Sequence, residues 1–586
     1  MWFLLFIILN GVDGDTLPTY TFDTLKIKAK QGCSFTGEVF STNDIKRFPY
    51  FLEPDITRYI ERLPGVISGS DFVYPSGLYI KGASPWESDF YFDGIPVIAP
   101  FHFISITGIP ISSAERIIYF ENFHSFSVYE TPQSAFNIIP YFRDGKNEIY
   151  QSLLNTTVSL NTGHLNFTGR FFYPSLILDI LKKNDYSLST YDLLFAMKAK
   201  SMNVSGFFMR EHIEKKDTSS DNLFSSGYSL GVRAGIGIFA FLYSEAKRYG
   251  MAERDTLYNY FLKVFETQIK PTKNIAFRIR RYEDTKNSLN LARVWFGKEI
   301  EEMAFNTSFV VYYHKKHIFP FLSGEIYKKF TFKDRASARL SLSLRSEYKS
   351  GYDMLYEGPL IPSKPFAPDK IIRSDISLRK IMKKGTWEMN MYFSHHFNYR
   401  FYHVDRFIRL RSPFSFLEGN FTRERDSISL WSGAKDVAGI SLKLTYLLSR
   451  YAGFEFLIGG NMVVVVNAQG YRYYPSYNTP FKLNAGLFFK KHDFRASMDV
   501  SYNYGGWYAT RVINYNFTPV IENGFYYYKL PSELWISLAF SRKFPVGKRE
   551  VEAGISMNRL GIKKSFSFYL FPKLYNIPSL FVNMEF

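Results

Sequence analysis

Ala336-Ser337-Ala338-Arg339-Leu340-Ser341-Leu342-Ser343-Leu344-Arg345 alternates strictly between apolar and polar side chains. Successive side chains of an extended chain point to opposite faces, so this stretch predicts a strand with one apolar face and one face of serines and full charges. The same period of two recurs on both sides of it. Trp387, Met389, Met391 and Phe393 alternate with Glu388, Asn390 and Ser394, Tyr392 being an exception. Ile440, Leu442, Leu444 and Tyr446 alternate with Ser441, Lys443 and Thr445. Phe494, Ala496, Met498, Val500 and Tyr502 form another such face, and so do Leu534, Ile536, Leu538 and Phe540.

Alternation alone does not say which face is covered. A soluble sandwich puts the apolar face inside, whereas a membrane barrel turns it toward lipid and keeps the polar face within. Three features favour the barrel. The alternating runs are long, their polar faces carry full charges suited to a wet lumen, and the pattern continues from about residue 150 to the end, beyond the usual size of a sandwich. Composition agrees. The 586 residues include 59 Phe and 43 Tyr, an aromatic fraction of 19%. Membrane barrels carry such an excess because aromatic rings sit at both water–lipid boundaries.

No segment has the roughly 18 consecutive apolar residues of a transmembrane helix. A chain of this kind lies in a membrane only as a closed barrel, which leaves no backbone group unpaired in lipid. A tilted strand needs about 9–11 residues, and at roughly 20 residues per strand and connection the segment from about 148 onward holds about 22 strands. A barrel of that size has a lumen wide enough to need a plug. The expected fold is therefore a membrane all-β one: a large antiparallel transmembrane barrel occluded by a small N-terminal α+β domain.

The two ends carry complementary signals. Met1 to Leu9 is an apolar run that suits a secretory leader over 1–14, without a basic residue before it or a clear small-x-small cleavage site. At the other end Leu580, Val582, Met584 and Phe586 alternate with Phe581, Asn583 and Glu585. The net charge of +18 comes from Lys and Arg spread along the chain, as in Phe277-Arg278-Ile279-Arg280-Arg281. That distribution suits a solvated lumen and lipid phosphates, and no nucleic-acid partner is expected. Cys33 is the one cysteine, so an intramolecular disulfide is excluded. No GxSxG, HExxH, P-loop or CxxC pattern is present, so no enzyme chemistry, cofactor or metal is expected; His395-His396 and His314 with His317 read as solvated or lumenal side chains.

Residues 41–145 read differently. Ile56, Tyr59, Ile60 and Leu63 share one face of a short amphipathic helix over 55–63, which Pro64-Gly65 ends. Short strands are expected around Leu78 to Lys81, Phe90 to Phe92 and Arg116 to Phe120. Asp93-Gly94 supplies a tight turn between two of them.

These residues carry a family resemblance. Leu63-Pro64-Gly65-Val66 resembles the LPGV step of the plug domain of TonB-dependent outer-membrane receptors. Leu78-Tyr79-Ile80-Lys81-Gly82 is similar to their xIxRG strand, with Lys81 for the usual Arg, and Asp93-Gly94-Ile95-Pro96-Val97 to their DGVPV hairpin. Pro100-Phe101-His102 resembles a PFH continuation of some members, Glu115-Arg116-Ile117 their ERIEV strand, and Asn137-Ile138-Ile139 their NII segment. Farther upstream Asp23-Thr24-Leu25-Lys26-Ile27-Lys28-Ala29 resembles a TonB box, which pairs with a strand of TonB by β-augmentation. The resemblance implies four regions: a signal peptide over 1–14, an extension with a candidate TonB box over 15–40, a plug over 41–145 and a barrel over 146–586. Import of a scarce ligand is implied, an iron chelate, a cobalamin or a glycan, with TonB, outer-membrane lipids and the barrel-assembly machinery as partners. Leu580, Val582, Met584 and Phe586 resemble the C-terminal signal which that machinery reads. The chain departs from the pattern after the ERIEV-like strand: Glu121-Asn122-Phe123 stands where Arg-Gly-Pro is usual, and Tyr129-Glu130 and Ser134-Ala135 stand where glycines are. The departures bear on TonB coupling more than on fold, and leave a non-transporting surface-binding or structural barrel as the rival reading.

Overall fold

The computed structural model describes residues 38–41, 66–68, 78–80, 88–97, 114–120, 134–140, 147–152, 155–172, 186–215, 223–252, 255–272, 274–283, 288–300, 302–314, 316–332, 335–347, 369–404, 428–470, 472–473, 479–504, 508–510, 520–522, 527–529, 532–547, 549–560 and 577–585. By contacts the chain divides into Met1–Ser34 and Phe35–Phe586, and the described residues all lie in the second unit. Among them no helix is long and apolar enough to cross a membrane.

The alternating runs form a closed ring of 22 antiparallel strands, from Glu148–Ser152 to Ile577–Glu585. The first and last strands pair antiparallel, Phe581 opposite Ser152 and Glu585 opposite Glu148. Asn583 Nδ2 donates to Glu148 Oε1 at 2.7 Å, and Tyr150 stacks on Phe581 with centroids 5.9 Å apart, so side chains as well as backbone close the seam. Two short segments sit beside the ring: Arg472–Tyr473, and Val520–Glu522, which pairs parallel with Tyr402–Val404.

Burial decides between the two directions that alternation leaves open. In the strand Ile275–Glu283, Ala276, Arg278, Arg280 and Tyr282 are buried while Phe277 and Ile279 are exposed, Ile279 by 65%. In Ala336–Glu347, Ser341, Ser343 and Arg345 are buried and Leu340, Leu342 and Leu344 are each about half exposed. A soluble fold would show the reverse. The covered face is polar and charged and the open face is a continuous band of Leu, Ile, Val and Phe, the arrangement of a barrel whose outer solvent is lipid. The chain is thus a multi-pass β-barrel of the outer membrane.

The two rims differ. One carries short connections, among them 199–201, 237–238, 383–384 and 492–493; the other carries long ones, among them 173–185, 348–368 and 405–427. In such barrels short turns face the periplasm and long loops the exterior. Near the short-turn rim Phe489, Phe494 and Phe540 pack edge-on and tilted across adjacent strands, with centroids 6.3 and 6.5 Å apart, as an aromatic belt at the water–lipid boundary. Tyr392, the exception to the alternation, is buried on the inner face, where its ring lies over Gly439 of the next strand; a Cβ there would stand 2.2 Å from its Cζ.

The N-terminal strands are β1 (Glu38–Ser41), β2 (Val66–Ser68), β3 (Leu78–Ile80), β4 (Ser88–Phe92), β5 (Ile95–Pro96), β6 (Ala114–Phe120) and β7 (Ser134–Pro140). Five of them form a sheet in the order β1-β6-β7-β4-β5, with β4 and β7 parallel and the other pairs antiparallel. β2 and β3 make a separate antiparallel ladder. The three strands expected here are present as β3, β4 and β6. The expected helix over 55–63 lies outside the described residues.

The inside-out arrangement has a direct test. Leu342→Arg places a charge on the outer face well above the short-turn rim, and unfolding titrations in bilayers are expected to show a loss of roughly 2–4 kcal/mol. An unchanged stability would contradict a lipid-facing position.

Candidate functional site

The best-defined meeting of the N-terminal sheet with the barrel is the β4–β5 hairpin. Its Asp93-Gly94 turn has φ of +48° and +79°, so both central residues are left-handed. That is the two-residue turn whose twist matches the flanking strands, and Gly at the second position adopts it without steric cost. Tyr91, Phe92 and Ile95 around it are fully buried.

The tip rests on the inner wall formed by Met202–Lys215, Leu223–Ile236 and Phe239–Ala252. Arg233 Nη1 stands 3.6 Å from Asp93 Oδ2 and 3.5 Å from the Asp93 carbonyl. Ser244 Oγ donates toward the Pro96 carbonyl and the Leu230 carbonyl, each at 3.1 Å. Gly231 makes the close approach possible: a Cβ on it would lie 2.5 Å from Ile95 Cγ2 and 2.8 Å from Phe207 Cε1. Among the described residues the seat is made of a partly buried ion pair, hydrogen bonds to the Asp93 and Pro96 carbonyls and a shape match. Burial pushes the Asp93 carboxyl above its ordinary 3.8, against the opposing pull of the Arg233 charge.

Farther around the wall lies a seam of buried charges. Arg278 and Arg280 converge on Glu266; Arg278 Nε is 3.6 Å from Glu266 Oε2, and Arg280 Nε donates to the same oxygen at 2.5 Å. Arg280 Nη1 donates to the Tyr282 hydroxyl at 2.9 Å. Arg373 grips Asp375 with two parallel hydrogen bonds of 2.9 and 2.8 Å. Arg293, Glu325 and Arg345 are buried on the same face. Charges removed from water persist only where partners offset the desolvation, so this wall is polar by construction and not a pore lining left to solvent.

The residues singled out from the sequence fall in different places. Asp93, Gly94 and Pro96 make the seat. Glu115 and Arg116 lie in β6 and Asn137 in β7, where Ile118 is opposite Asn137 and Arg116 opposite Ile139. Leu63, Pro64, Gly65, Lys81, Gly82 and the TonB-box segment Asp23 to Ala29 lie outside the described residues. Leu580 and Val582 are exposed on the outer face of the last strand with Met584 on the same side, and Phe586 lies outside the described residues. His395 Nδ1 is 2.6 Å from Asp436 Oδ1, and His314 Nδ1 is 3.0 Å from the Ser288 carbonyl. Among the described residues no three His, Cys, Asp or Glu side chains gather as a metal site. Arg233, Gly231 and Ser244 were not singled out from the sequence. Gly231 and Arg233 sit two apart on one face of a strand, a weak signal that points inward only once the polar face is known to be the covered one.

No protein-family model matches the chain, and no curated protein matches it. Solved structures do. The ferric enterobactin receptor PfeA of Pseudomonas aeruginosa, as a mutant, superposes with a TM-score of 0.63 at 11% identity, over 95% of this chain and 98% of that one. The copper transporter OprC gives 0.65 at 10% identity, over 94% and 97%. The siderophore receptor PirA of Acinetobacter baumannii gives 0.61 at 10% identity, over 94% and 98%. At such identities the likeness is one of fold, and the fold is that of the TonB-dependent receptors which the plug motifs resemble.

Two outcomes follow for the seat. In a Cys33→Ser, Val97→Cys background that keeps Ile95, Gly231→Ala should displace the hairpin at a cost of about 1–3 kcal/mol and speed maleimide labelling of residue 97 accordingly; unchanged labelling would mean that the tip does not press on Gly231. Asp93 has a raised pKa when docked, so docking is strongest below 3.8 and weakens as pH rises through the raised value. Labelling relative to an Asp93→Asn counterpart should therefore fall as pH is lowered from neutrality, and a ratio that rises would contradict the sign.

Proposed function

We propose that this chain is a TonB-dependent outer-membrane receptor that imports a scarce ligand too large for ordinary porins. The observation that carries the reading is the seat of the Asp93-Gly94 hairpin on the inner wall of a 22-strand barrel. The described contact is a partly buried ion pair, hydrogen bonds to two hairpin carbonyls and a shape match at Gly231, and a lumenal domain seated on the wall in this way supports the reading of a plug. A ligand binds at the long-loop side. Energised TonB pairs with the extended segment Asp23 to Ala29 and pulls it, and the plug shifts to open a path along the polar wall. The solved structures of like fold include receptors named for ferric enterobactin and siderophores and a transporter named for copper. We take a metal chelate as the first ligand class to try here, ahead of cobalamins and glycans. The barrel-assembly machinery would read the terminal strand through Leu580, Val582, Met584 and Phe586.

The rival reading is a barrel that keeps the fold for surface binding or structure without coupled transport. Glu121-Asn122-Phe123, in place of the usual Arg-Gly-Pro, favours it.

Uptake of ferric catecholates, ferric hydroxamates, copper chelates and cobalamins, compared between the full chain and one lacking residues 21–30, separates the two. Transport of at least one class that the deletion abolishes, with capture of the chain by the periplasmic part of TonB, is the expected result. Undiminished uptake after the deletion would overturn the TonB-box assignment, and no capture by TonB would favour the rival.

A further inference from the structure

Below the hairpin seat, at the short-turn end of the inner wall, lies a cavity of about 350 Å³. Five neighbouring strands and their turns form it. Lys198, Lys200, Lys270 and Arg233 line it, with Asn203 and Gln268 between them, and among the described residues no carboxylate does. Arg233 faces Asp93 on the hairpin side. The ammonium groups of Lys198, Lys200 and Lys270 have no ion pair or hydrogen bond among the described residues. Strand parity puts Lys198 in phase with the covered side chains of Asp192, Leu194 and Ala196, and Lys270 in phase with Glu266 and Gln268, so both belong to the inner face and not to the lipid-facing one. A lipid headgroup therefore does not reach this position by lying against the outer wall.

Four cations around one space repel one another, and amide side chains between them add donors aimed at the same volume. The complement of such a space is a small molecule carrying several anionic oxygens, which offsets the repulsion and accepts charge-assisted hydrogen bonds. A guanidinium presents five donors in a fixed fork, so Arg233 is the group through which such a ligand meets the hairpin. We infer that this cavity is a site for a small multivalent oxyanion, a polyphosphate or a polycarboxylate, and that its occupant draws Arg233 away from Asp93 and loosens the hairpin seat. The site opens toward the periplasmic rim, so it senses a soluble anion on that side whether or not the barrel is coupled to TonB.

The test uses the full chain in neutral detergent at physiological ionic strength, with inorganic pyrophosphate and citrate as probes in calorimetric titrations. Saturable binding of one ion per barrel is expected for at least one probe, and the preferred probe tells phosphate from carboxylate. Lys198→Gln with Lys270→Gln should weaken it by about tenfold or more. Lys298→Gln with Lys328→Gln removes two cations near the same rim whose parity places them on the outer face, and should leave affinity within about twofold. If the first pair does not fold to a heat-modifiable barrel, Lys200→Glu in the turn carries the test. In the Cys33→Ser, Val97→Cys background the bound probe should also speed maleimide labelling, and Arg233→Gln should abolish that effect of the probe. Absence of saturable binding, or equal loss in the outer-face pair, would overturn the site; binding without any change in labelling would overturn the link to Arg233.

Discussion

Lipid offers no hydrogen bonds to the backbone. Each N–H and C=O left unpaired in the hydrocarbon region costs several kcal/mol, and this constraint governs the rest of the molecule. A chain without long apolar helices satisfies it in only one way, by closing its strands into a ring. The pairing of Glu148–Ser152 with Ile577–Glu585 is therefore the contact on which the others depend. It joins residues more than 400 positions apart, so it forms only when nearly the whole barrel is in register. The Asn583–Glu148 hydrogen bond and the Tyr150–Phe581 stack supply side-chain specificity at that seam.

Closure also fixes what each face must be. The outer face has hydrocarbon for a solvent, so apolar side chains there need no cover. The inner face is polar and, in a ring this wide, would be a water channel if nothing occupied it. The buried Arg278, Arg280 and Glu266 cluster and the Arg373–Asp375 pair show a wall whose charges are matched to one another. Against that wall the hairpin seat is modest. It relies on fit at Gly231 and on Arg233, and the burial that fits Ile95 tightly also raises the Asp93 carboxyl. The seat therefore combines a steric lock with an electrostatic contact that opposes its own desolvation.

Much of the architecture was legible in residue order. The alternation in Ala336 to Arg345 names a strand, and its repetition names a sheet of about 22 strands because strand length in a bilayer is limited. Asp93-Gly94 names its own turn, since few other residue pairs accept two left-handed conformations in succession. The direction of the faces was less legible. Alternation is symmetric, and only the length of the pattern, the charges on its polar side and the aromatic excess pointed outward. Tyr392 looked like an exception because its reason, Gly439, is on the neighbouring strand and 47 positions away. The seat was not legible for the same reason: Arg233 meets Asp93 across 140 positions, and nothing local marks either as the other's partner. The four cations of the cavity come from four separate strands and turns, so their convergence is a property of register and not of any motif.

The account rests on the polar face being the inner one, and spin-label accessibility along one strand tests that most directly. Single cysteines at each position from Leu291 to Phe296, in a Cys33→Ser background, would carry nitroxides in a lipid bilayer. Collision with oxygen, which concentrates in lipid, should peak at positions 292, 294 and 296. Collision with a water-soluble nickel chelate should be low there and run out of phase with oxygen. Oxygen maxima at 291, 293 and 295, or two profiles that rise and fall together, would contradict an inside-out barrel and with it the placement of the hairpin seat.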